Sequence, residues 1–67
     1  MTDDILKNIL NKAFKNKREL RKYEFRGNLR FFGNHIIDQI VKDSKKKNLI
    51  KTRQHGSRYE LNFDLFK

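Results

Sequence analysis

The sequence predicts a small α+β domain: three helices followed by a C-terminal β-hairpin. Three observations carry this. Two stretches, near residues 2–14 and 34–47, repeat apolar residues with the period of a helix. Two short runs near the C-terminus, "LIKTRQ" and "RYELNF", flank "HGS" as strands flank a turn. The 67 residues allow one domain, so these elements share one core.

The first helix lies in "TDDILKNILNKAF". Thr2 can cap it, and Asp3 and Asp4 suit the positive end of the helix dipole. Ile5, Leu6, Ile9, Leu10 and Ala13 form its apolar side, with Phe14 at the edge. The next stretch, Lys15 to Arg30, holds seven basic residues and two acids. Tyr23 and Phe25 alternate as in a strand, whereas Leu20 and Tyr23 suit a helix. The expectation is an extended piece near Tyr23–Arg26, then one or two helical turns from Asn28 to Phe32. Phe31 and Phe32 are expected to anchor two helices together.

The third helix spans Asn34–Lys47. Gly33 can take positive φ ahead of it, and Asn34 can cap it. Ile36, Ile37, Ile40 and Val41 form an apolar stripe with Ser44 inside its arc. His35, Asp38, Gln39, Lys42 and Lys46 project the other way. Lys45–Lys47 complement the dipole at the end, and Asn48 can adopt the left-handed conformation that stops the helix. In the hairpin, Tyr59, Leu61 and Phe63 point one way and Arg58, Glu60 and Asn62 the other. Leu65 and Phe66 are expected to close the core.

Charge is the most informative property. Seventeen Lys and Arg against eight Asp and Glu leave +9. That balance favours nucleic acid, an acidic protein surface or an anionic membrane. Lys42 to Arg58 alone contains seven basic residues and one acid. No apolar run approaches the roughly 20 residues that span a bilayer, and the acidic start is unlike a secretory signal. The expectation is a cytoplasmic protein with no membrane partner.

Catalysis, cofactors and metals find no support. There is no cysteine, no glycine-rich phosphate loop and no nucleophile–base order. His35 and His55 have no standard ligand spacing and read as a helix-start and a turn residue. Asp3 and Asp4 read as capping residues.

The segment "IIDQIVKDSKKKNLIKTRQHGSRYELN" resembles a winged helix-turn-helix domain over about half the chain. An apolar-spaced helix, the stop Asn48-Leu49-Ile50 and the wing strand Tyr59-Glu60-Leu61 carry the likeness. Asn48 stands where such domains usually have glycine. The resemblance implies that the Asn34–Lys47 helix enters the major groove of double-stranded DNA. His35, Asp38, Gln39 and Lys42 would then reach base edges. The wing tip, from Arg53 through His55 to Arg58, would meet the adjoining minor groove or backbone. Arg26, Arg30, Lys45, Lys46 and Lys51 would contact phosphates. About five such contacts give a log K against log[salt] slope near −4 to −5. A transcription regulator or a replication or recombination accessory factor fits this role, and a homodimer would enlarge its small DNA footprint. The alternative is a protein-binding module, as in small proteins of mobile elements that block an acidic surface of a host enzyme. RNA binding is a third reading.

Overall fold

The computed structural model describes residues 1–65. Helix α1 (Asp3–Phe14) begins at Thr2, whose hydroxyl accepts from the Ile5 amide at 3.3 Å. It ends where Lys15 and Asn16 turn left-handed, at φ 50° and 68°. Asn28 then donates its side-chain amide to the Ala13 carbonyl at 2.7 Å. That bond satisfies one of the carbonyls a helix end leaves open. Leu6, Leu10, Ala13 and Phe14 are buried, while Ile5 is exposed. The apolar stripe is thus centred on Leu6 and Leu10, with Phe14 at its edge as expected and Ile5 outside it.

The next segment departs from expectation. The extended piece is β1 (Glu19–Arg21), and Tyr23–Arg26 lies inside helix α2 (Lys22–Asn28). Phe25 and Leu29, four apart, are buried, and Tyr23 is exposed. The Tyr23/Phe25 alternation is therefore accidental. The helical spacing of Phe25 and Leu29 dominates because Phe25 fills the centre of the core. Its ring meets Phe14 edge-on at 5.6 Å and Tyr59 edge-on at 5.1 Å. Such contacts contribute beyond area burial.

A 3₁₀ turn, Arg30–Phe32, leads to Gly33 at φ 82° and then α3 (Asn34–Lys46). Gly33, not Asn34, takes the capping position, with its carbonyl accepting from Ile37 at 3.0 Å. Phe32 packs against the core as expected, but Phe31 is 71% exposed. Ile37, Ile40, Val41 and Ser44 are buried, and Ile36 lies outside the stripe. Lys47 caps the helix and Asn48 is left-handed at φ 60°. Leu49 donates to Ser44 at 2.9 Å and Asn48 to Lys45 at 3.1 Å, which is a Schellman stop. The buried Leu49 supplies the apolar contact that usually accompanies it.

Strands β2 (Ile50–Arg53) and β3 (Arg58–Leu61) form the hairpin. The antiparallel sheet has the order β1-β3-β2. Gln54, His55 and Gly56 all take positive φ in the loop. Leu20, Tyr59 and Thr52 align across the three strands, as do Leu61 and Ile50. Their face covers the core with the helices. The opposite, outer face carries two rows: Glu19, Glu60, Lys51 and Arg21, Arg58, Arg53.

A second 3₁₀ turn, Phe63–Leu65, follows β3. Phe63 and Leu65 are exposed, contrary to the expected closure, because the chain leaves the strand at Asn62. The Arg18 guanidinium covers the Phe63 ring at 5.1 Å. Phe66 lies outside the described residues. Three helices and a three-stranded antiparallel sheet, built from the C-terminal hairpin and β1, make an α+β domain compatible with a winged-helix layout. No helix is long and apolar enough to cross a membrane among the described residues.

Candidate nucleic-acid interface

Burying Ile37, Ile40, Val41 and Ser44 fixes the rotation of α3. His35, Asp38, Gln39, Lys42, Lys45 and Lys46 are then all exposed. The helix thereby offers a continuous polar stripe.

Ion pairs decide which of these groups can meet a ligand. Arg26 donates Nη1 to Asp38 at 2.8 Å and Nη2 to the Asn34 amide oxygen at 3.4 Å. Arg26 and Asp38 therefore neutralise each other at the α2–α3 seam. Gln39 donates its amide to Asp43 at 2.8 Å, and Asp43 faces the N-terminal amine at 3.5 Å. Lys47 bonds the Asp3 carboxylate and the Met1 carbonyl, so it holds the N-terminus to the end of α3. The Lys47 ammonium keeps the Asp3 carboxyl below its ordinary pKa. Arg30, Lys42, Lys45 and Lys46 have no carboxylate partner among the described residues.

The hairpin joins this surface through its inner face. Lys45 lies over the Tyr59 ring, 5.7 Å from its centre. Burial pushes the Tyr59 phenol above its ordinary pKa; the nearby Arg26 charge opposes this and the Asp38 charge adds to it. Tyr59 therefore feels the same ion pair that borders the α3 stripe.

Lys51, Arg53 and Arg58 do not join it. Strand alternation puts them on the outer face, away from Tyr59. Arg53 donates Nε and Nη2 to one Glu60 oxygen, at 3.2 and 2.8 Å. This bond lowers the pKa of Glu60 and raises that of Arg53. Arg58 is bonded to Glu19 across to β1. His55 stands exposed at the loop tip.

The predicted interface thus divides into an α3 surface and an outer-sheet surface. Arg21 and Tyr23 belong to the second and escaped sequence reasoning, because β1 was not recognised. The complementary charges of "ELR" and "RYEL" were the available signal. No protein-family model, curated protein or solved structure matches the chain.

Proposed function

We propose that the chain is a small DNA-binding protein that docks α3 in the major groove of a duplex. His35, Gln39 and Lys42 face base edges in this reading. Arg30, Lys45 and Lys46 neutralise phosphates. The Arg26–Asp38 pair keeps Arg26 from the phosphates, and the hairpin tip at His55 approaches the neighbouring backbone. One observation carries the reading. Apart from Ile36 at its margin, the exposed side of α3 is polar and bears Lys42, Lys45 and Lys46 without carboxylate partners among the described residues, while its other side is locked in the core. Cations left unpaired beside an amide and an imidazole suit a polyanion with readable edges. Regulation of transcription, or assistance to replication or recombination, would follow from such binding. A selection from random duplexes tests it. A recovered consensus is the expected result, and its symmetry would report a dimer. Equal retention of all sequences would count against groove reading.

A second reading rests on Phe31. A large aromatic side chain 71% exposed beside Arg30 is the kind of anchor protein interfaces use. Under it the domain blocks an acidic surface of another protein. Phe31→Ala would then abolish capture of that protein from nuclease-treated lysate and leave duplex affinity unchanged.

A further inference from the structure

The outer face of the sheet holds an arrangement that stability alone does not account for. Arg21 stands directly opposite Arg58 in the β1–β3 pair, and Arg58 opposite Arg53 in the β2–β3 pair. Like charges placed directly across strands destabilise a sheet. Glu19 bonds Arg58 and Glu60 bonds Arg53, which offsets two of the three guanidiniums. Arg21 has no carboxylate partner among the described residues. It donates Nη1 only to the Tyr23 hydroxyl, at 3.4 Å.

A cleft of about 300 Å³ opens beside this row, lined by Arg21, Tyr23, Gln54, Ser57 and Arg58. Its walls offer two guanidiniums, a phenol and a side-chain amide, and no carboxylate. Ser57 donates its hydroxyl to the Gln54 carbonyl at 2.7 Å, which satisfies an acceptor beside the cleft. The walls are held by the β1–β3 ladder, and the Lys22 amide donates to the Ser57 carbonyl at 2.8 Å. Among the described residues Glu19 engages Nε of Arg58, and no group engages the terminal nitrogens of that guanidinium, which leaves them to a ligand.

We propose that this cleft is a phosphate-binding site, with Arg21 and Arg58 as its two charged arms. Planar guanidiniums match the oxygens of a phosphate group, and an anion between them would relieve the like-charge opposition. The site lies on the sheet face opposite Tyr59, and Lys45 of α3 packs on that Tyr59 side. A phosphate held here therefore belongs to a different ligand segment from any docked on α3. It is either the backbone of a second nucleic-acid segment or a free phosphate compound. The inference does not depend on the reading of α3.

Nitrogen-15 spectra of the arginine Nε–H groups provide the test. The protein is titrated with inorganic phosphate and, separately, with a short duplex. Arg21 and Arg58 signals should shift saturably with phosphate, ahead of those of Arg18 and Arg30. Arg21→Gln, with an unchanged circular dichroism spectrum, should weaken phosphate binding by about tenfold. If the duplex moves the same two signals in the wild type and in Lys42→Ala, the phosphate is that of a nucleic-acid backbone. If only inorganic phosphate moves them, the natural ligand is a small phosphate compound. Uniform shifts of all arginines, no shift in either titration, or undiminished binding by Arg21→Gln would overturn the proposal.

Discussion

Asp38→Asn separates two roles for one residue. As a base reader, Asp38 would accept from cytosine, and its loss would cost about 1–3 kcal/mol at the preferred site. The 2.8 Å bond from Arg26 suggests otherwise: the carboxylate occupies a cation that could reach a phosphate. Four cations on the α3 side, Arg30, Lys42, Lys45 and Lys46, lack carboxylate partners among the described residues. At about 0.9 counterion per phosphate, they give a log K against log[salt] slope of about −3.6. Releasing Arg26 adds a fifth, for about −4.5. At about 0.15 M salt that extra contact raises affinity about fivefold, since 0.9 × log(1/0.15) is about 0.75. The gain should be the same on a selected duplex and a scrambled one.

Fluorescence anisotropy at four or five salt concentrations measures both quantities, with circular dichroism as the check on folding. An affinity lost on the selected duplex alone, with the slope unmoved, would refute the reasoning. Asp38 would then be a reader, and Arg26 would contribute nothing when freed.

Other substitutions probe the frame. Ser44 is fully buried and its hydroxyl has no hydrogen-bond partner among the described residues, so Ser44→Ala should stabilise the domain by about 1 kcal/mol. A rise of about 4–8 °C in the melting temperature would report it; a fall would mean that the hydroxyl is satisfied. Phe25→Ala removes both edge-on ring contacts and should cost about 3–5 kcal/mol, enough to leave so small a domain largely unfolded at 37 °C. Thermal melts by circular dichroism decide this, and a cooperative transition near that of the wild type would contradict it. Arg53 holds the Glu60 carboxyl below its ordinary value of 4.5. A depressed folded pKa means that the contribution is present above about 4.5 and is lost as pH falls through the folded value. Acid titration of Glu60→Gln should therefore show a shallower loss of stability below that pH than the wild type.

Much of the frame was legible in the sequence, and the failures share a cause. Helix α1, α3, the Gly33 break, the Asn48 stop and the hairpin all follow from local signals: caps, spacing and turn residues. β1 does not, because three residues become a strand only through pairing with β3, whose Tyr59 is distant in the chain from Leu20. Missing β1 displaced α2 and hid Arg21. At the candidate site, the outward stripe of α3 follows from its apolar period. The side chosen by the hairpin cations does not. Alternation separates Arg58 from Tyr59, and the burial of Tyr59 and Leu61 in the core shared with α3, with Lys45 packed on Tyr59, shows which strand face adjoins that helix.

A net charge of +9 therefore says less than where the acids lie. Asp38 and Asp43 border α3, and each is engaged, one by Arg26 and the other by the N-terminal amine. Glu19 and Glu60 sit within the outer rows of the sheet and temper two of its arginines. What remains is two separate cationic faces. Among the described residues, a duplex docked on α3 alone meets four cations without a carboxylate partner; one that also engaged Arg21 and Lys51 would meet six. The corresponding slopes, about −3.6 and about −5.4, are far enough apart to measure. The steeper value would require a nucleic acid that bends around the hairpin, or a second segment bound behind it.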